Sequence, residues 1–122
     1  MAIQNLKEIT KQDEAKLVLE LNSLGLKVNS VYDLVNSNSN YSVAYPILVK
    51  HLDIKHHPRI KEGIVRALTV KDAKDIAGKK LLDMFYLEQE KMAKWVLANA
   101  LKTVLPLKDR KNHPEIKETL GF

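Results

Sequence analysis

Residues 58–68 read Pro58-Arg59-Ile60-Lys61-Glu62-Gly63-Ile64-Val65-Arg66-Ala67-Leu68. A proline opens a helix well, because its missing N–H would find no intrahelical partner in the first turn. Behind it Ile60, Gly63, Ile64, Ala67 and Leu68 recur at spacings that place them on one helical face. Two members of that stripe are small, which lets a neighbouring helix approach closely. Sliding the chain against itself by 33 residues lays the stripe on Ala93, Val96, Leu97, Ala100 and Leu101. Every matched position stays small or apolar. The preceding segments match too, with Ile47-Leu48 on Leu81-Leu82 at an offset of 34. The helix start returns once more, His57-Pro58-Arg59-Ile60-Lys61-Glu62 as His113-Pro114-Glu115-Ile116-Lys117-Glu118. Its offset of 56 breaks the period and reads as a half-repeat.

The rest of the chain carries helical signals as well. Thr10-Lys11-Gln12-Asp13 sets a hydroxyl and an acid three apart, the pattern of a capping box. Leu17, Leu21 and Leu24 follow at helical spacing and Gly25 supplies the stop, which predicts a first helix. Ser30-Val31-Tyr32-Asp33 repeats the start signal, and its short helix ends in the turn-forming run Asn36–Asn40. A third helix opens at Ser42 with Ala44, Ile47, Leu48, His51 and Leu52 on one face. The fourth starts at Pro58. The fifth runs from about Asp72 to Leu87 with Ile76, Leu81, Leu82 and Phe85 inward. The sixth spans about Glu90 to Val104, and a short seventh runs from Pro114 to Gly121. No stretch alternates apolar and polar residues, so the reading is all-α with about seven helices.

A two-helix period of roughly 30–45 residues is the mark of an α-solenoid, in which stacked pairs bury faces that one pair cannot bury alone. Residues 58–68 resemble the second helix of a HEAT repeat: proline, then an aliphatic with Arg or Lys, then small residues, then Ala-Leu. The wider stretch resembles short bacterial HEAT-repeat (armadillo-like) proteins. It runs through Asp33-Leu34-Val35-Asn36, Ala44-Tyr45-Pro46-Ile47-Leu48 and Glu62–Leu68 to Trp95 and Asn99-Ala100-Leu101. The resemblance implies an α–α superhelix of HEAT-like hairpins. About two repeats would occupy 30–104, after an N-terminal helix and link (1–29) and before a C-terminal covering segment (105–122). It also implies a non-enzymatic interaction module with a protein partner. The array is shorter than is usual in that family, and the C-terminal part leaves the period.

Composition bounds the chemistry. A chain of 122 residues that is 45% hydrophobic and 29% charged has the size and make-up of a single domain, 1–122, around one core. It has no cysteine, which excludes disulfides, thiol catalysis and cysteine-bound zinc. Its closest glycines, Gly63 and Gly78, are 15 apart, so no glycine-rich phosphate loop can be written. No cofactor is expected. The net charge of +5 sits entirely in residues 57–122, with fourteen basic and nine acidic side chains. Non-specific nucleic-acid binding through that basic half is the alternative function; an ordinary lysine-rich solvated surface is the plainer reading. The start of the chain lacks a basic-then-apolar targeting pattern. The longest uncharged stretch, Leu34–Val49, is 16 residues and rich in Asn and Ser, too short to span a bilayer. A cytoplasmic protein without a membrane is expected.

Candidate residues follow from the repeat. Lys61 and Lys94 are equivalent in the 33-residue register, Lys117 matches Lys61 in the half-repeat, and Lys91 and Lys102 share a face with Lys94. Such a ladder could track a phosphate backbone, as the basic concave surface of HEAT-like DNA glycosylases does. Lys61, Lys94 and Lys102 are read as exposed. Glu62 and Arg66 have the spacing of a helix ion pair. Arg66 aligns with Asn99, and Asp33 and Asn36 are expected partners for that polar position. His51, His56 and His57 have only Asp53 nearby, a poor ligand set, so no metal is expected. No residue is assigned to catalysis. Ser, His and Asp form no recognisable pairing, and Glu88 and Glu90 point to different helical faces. Trp95 and Met92 lie outside the inward stripe. The C-terminal segment, through Leu107, Ile116, Leu120 and Phe122, is expected to fold back over them. Otherwise Trp95 would anchor a partner or a second copy, so the chain would be a monomer or a homodimer.

Overall fold

The computed structural model describes residues 2–121. Among them the regular structure is entirely helical, and the chain divides into two compact units, Met1–Ala67 and Leu68–Phe122. The N-terminal unit holds α1 (Ala2–Asp13), α2 (Ala15–Asn22), α3 (Tyr32–Val35), a 3₁₀ turn at Ser42–Ala44, α4 (Tyr45–Leu52) and α5 (Pro58–Ala67). The C-terminal unit holds a 3₁₀ turn at Lys71–Ala73, α6 (Lys74–Leu87), α7 (Lys91–Val104), α8 (Leu107–Arg110) and α9 (Pro114–Leu120). All seven expected helices are present, and α1 and α8 are additional.

The same local design occurs once in each unit. A 3₁₀ turn ending on a buried alanine, Ala44 or Ala73, leads into a helix that packs against the next one: α4 on α5, α6 on α7. In α5 the stripe Ile60, Gly63, Ile64 and Ala67 is buried, and Leu68 just beyond it is buried too. In α7 the matching Val96, Leu97, Ala100 and Leu101 are buried and Ala93 is half-buried. Tyr41 secures the end of α5. Its hydroxyl donates to the carbonyl of Ala67 at 2.8 Å, satisfying an acceptor that the helix leaves open, and its ring meets Tyr45 edge-on at 5.8 Å.

Two expected elements differ in the structure. Thr10 lies inside α1 rather than at the start of a helix, and its hydroxyl donates to the Leu6 carbonyl at 2.9 Å. Backbone bonds from Glu14 N to Thr10 O and from Val18 N to Glu14 O carry the chain through the α1–α2 junction. In α6 the buried face is Ala77, Gly78, Leu81 and Phe85, with Ile76 40% exposed. The small pair Ala77–Gly78 takes the contact instead, and a Cβ at Gly78 would lie 3.4 Å from Leu105 Cδ2.

The second start signal is real. Asp33 Oδ2 accepts from the backbone N–H of Asn29 (2.8 Å) and Ser30 (3.2 Å), and Ser30 Oγ accepts from Tyr32 N–H at 3.2 Å. Buried Glu14 joins the same turn, accepting from Val31 N–H at 3.0 Å and from the Ser30 hydroxyl at 3.2 Å. No helix among the described residues is long and apolar enough to cross a membrane.

Candidate interaction site

A groove of about 630 Å³ opens in the C-terminal unit. Its apolar lining comes from Leu107, Pro114, Ile116 and Leu120; its polar lining is Lys102, Arg110, Lys111, Lys117 and His113. The lining thus carries four permanent cations and no carboxylate, which gives the groove a positive field.

Three elements build it. The end of α7 supplies Lys102. Pro106 then stops that helix, and α8 follows with Leu107, which is 60% exposed. Arg110 Nε donates back to the Leu105 carbonyl at 3.1 Å, closing the α7–α8 turn, while Lys74 of α6 pairs with Asp109 at 3.3 Å. Pro114 begins α9, which packs on α7 through Ile116. The Tyr86 hydroxyl on α6 holds the start of α9, contacting His113 Nδ1 at 2.7 Å and donating to Glu115 Oε1 at 3.0 Å. Burial, then the bond to Glu115, pushes the Tyr86 hydroxyl above its usual range. A backbone hydrogen bond and the Tyr86 hydroxyl hold Glu115 below the usual carboxylate range.

The expected site residues fall into different environments. Lys61 belongs to the N-terminal unit and is half-buried. Its Nζ donates to the carbonyls of Leu52 (2.5 Å) and Ile54 (3.0 Å), finishing the end of α4. Lys94 is half-buried as well, 4.9 Å above the Phe85 ring in a cation–π contact. The expectation that Lys61, Lys94 and Lys102 are exposed therefore fails at the first two and holds at Lys102; Lys91 on α7 is exposed as well. Arg66 donates to Glu62 at 2.8 Å, as the spacing predicts. The Asp33 carboxylate is engaged by backbone N–H groups. Asn99 is half-buried on α7.

Ile116 packs on α7, yet Met92 is 62% and Trp95 38% exposed. The described part of the C-terminal segment therefore does not enclose that face. Phe122, expected to help cover it, lies outside the described residues. Glu88 and Glu90 are turn and cap groups. Glu88 Oε2 accepts from the N–H of Gln89 and Glu90, and Glu90 Oε2 from that of Ala93 at the start of α7. No cluster of His, Asp and Glu suited to a metal ion occurs among the described residues. His51 and His56 bond to each other instead.

Sequence reasoning missed Arg110 and Lys111 at this site. They fall outside the repeat register that singled out the other lysines, and only the fold of α8 and α9 brings them beside Lys102 and Lys117. Comparison of the chain with protein-family models, with curated proteins and with solved structures finds no match.

Proposed function

We propose that the chain is a non-enzymatic, HEAT-like cytoplasmic interaction module that takes an acidic amphipathic segment of a partner protein in the groove of its C-terminal unit. The turn–helix–helix design repeated in the two units supports the HEAT-like reading. The observation that carries the binding reading is the groove itself, an apolar floor edged by cations. A helix laid in such a groove buries apolar side chains on the floor while its carboxylates meet Lys102, Lys111 and Lys117. Charge on the edge then steers and selects the partner. A nucleic-acid strand matches this groove less well. Its phosphates would satisfy the cations, but the lining offers no Phe, Tyr or Trp on which bases stack.

Fluorescence anisotropy with a labelled Leu/Glu amphipathic helical peptide tests this. Lys102, Lys111 and Lys117 changed together to Glu should weaken binding about tenfold or more, since each exposed pair contributes up to about 1 kcal/mol. Circular dichroism should show the helices intact. The proposal fails if the wild-type chain ignores the peptide at low salt. It also fails if the chain instead retains DNA or RNA with an affinity that collapses as salt is raised.

A further inference from the structure

The histidines of the N-terminal unit form a chain of hydrogen bonds that joins three helices. The side chain of His51, on α4, is 1% exposed, and that of His56, in the α4–α5 loop, is 4% exposed. His51 Nε2 lies 2.7 Å from Glu20 Oε2 on α2. His51 Nδ1 lies 2.9 Å from His56 Nε2, and His56 Nδ1 lies 2.7 Å from Asp13 Oδ2 at the end of α1. The ring centroids are 5.1 Å apart and the planes differ by 26°. That separation is close to the N···N distance plus two ring radii, the largest such a contact allows. The rings therefore meet edge to edge, as an imidazole and an imidazolium do when they share a proton.

Counting protons decides the state of this chain. Its three contacts need three protons, one in each. Two neutral imidazoles supply only two. With the carboxylates ionised, the complete chain requires one ring neutral and the other charged. With two charged rings, two N–H groups would face each other across the His51–His56 contact. With two neutral rings, one contact would set lone pair against lone pair.

The surroundings say where the charge sits. Burial holds the His51 imidazole below its usual pKa range, against the opposing pull of Glu20. Glu20, bonded to Lys50 and His51, is held below the usual carboxylate range. Lys61 of α5 is bonded to the Leu52 and Ile54 carbonyls, and the turn Ser42–Ala44 carries no titratable group. Of the loop groups Asp53, Lys55 and His57, the last uses Nδ1 to accept from Arg59 N–H at 3.1 Å. Glu14 is occupied with Ser30 and Val31. His56 is therefore the charged ring, donating to both His51 and Asp13. His51 is neutral, donating from Nε2 and accepting at Nδ1.

We propose that Asp13, His56, His51 and Glu20 form a relay that ties α1 and α2 to α4 through one shared proton, so that the N-terminal unit is most stable while one ring, and only one, is charged. The sign of the pH dependence follows. Below the ordinary histidine value of about 6.5, an unfolded chain protonates both rings while the folded relay holds one charge. The unfolded state then binds more protons, and stability falls as pH falls. This limb changes the folding constant by up to about tenfold per pH unit.

Nitrogen-15 NMR of the imidazoles in the full chain, with amide exchange in α2 and α4 across about pH 5–8.5, tests the relay. At neutral pH His51 should carry one proton, on Nε2, and His56 two. Protection should fall as pH drops below about 6.5. His51→Gln keeps a side-chain donor and acceptor but cannot take up a second proton, and it should abolish that fall. If that variant does not fold, the wild-type ring spectra still decide. One proton on each ring at neutral pH, or protection that does not fall toward acid, overturns the proposal.

Discussion

Gly63→Leu is expected to destabilise the N-terminal unit by more than about 3 kcal/mol, and even Gly63→Ala by about 1–2 kcal/mol. A Cβ at this buried position on α5 would lie 2.7 Å from Val31 Cγ1 and 2.9 Å from Tyr32 Cε2. Neither atom yields easily. Val31 is β-branched and fully buried, and the Tyr32 ring is pinned by its hydroxyl, which donates to the Arg59 carbonyl at 2.6 Å. Alanine in place of glycine normally favours a helix by up to about 1 kcal/mol. Here the clash outweighs that gain. Gly78 on α6 is the internal control, because its nearest contact for a Cβ is 3.4 Å, to the movable end of Leu105. Gly78→Ala should be neutral or stabilising by up to about 1 kcal/mol. Urea unfolding followed by circular dichroism measures both. Equal effects at the two glycines would mean that α3 does not press on α5 as closely as described.

Where a helix carries a periodic apolar stripe, its sequence announces it, and α5 and α7 are read almost residue by residue. The half-repeat is equally informative about packing. Ile60 and Ile116 are both 2% exposed, each three residues after a histidine whose carbonyl accepts its N–H. The same alignment misleads for Lys61 and Lys117, since one is bonded to backbone carbonyls and the other is exposed at the groove. Backbone register fixes where a side chain starts, and the neighbours decide where its charge ends. Helix α1 escaped notice because Thr10-Lys11-Gln12-Asp13, read as the start of a helix, lies inside it. The partners of the histidines were out of reach for a different reason. Glu20 and Asp13 lie 31 and 43 residues from the rings they contact, and no local pattern links them.

Ile116→Asp is expected to release α9 from α7 and abolish peptide binding at the groove. A seven-residue helix has too few turns to persist alone in water, so α9 depends on what it packs against. Ile116 is its one buried side chain. Losing that burial costs about 2–5 kcal/mol, and the variant would also desolvate a carboxylate. The Tyr86 contacts to His113 and Glu115 are open to water and do not compensate for this. Amide protection should vanish over 114–120 while α6 and α7 remain helical. Pro114, Ile116, Lys117 and Leu120 leave the groove with α9, so the acidic peptide should lose its site. Charge reversal at Lys102, Lys111 and Lys117 weakens binding without this loss of protection, which separates a missing wall from a missing charge. Trp95 supplies a further check. It is already partly exposed, so its emission should change little when α9 is released. A strong red shift would show that α9 shields Trp95 after all. Undiminished peptide binding would move the interaction surface elsewhere, with the exposed face of Met92 and Trp95 the next to test.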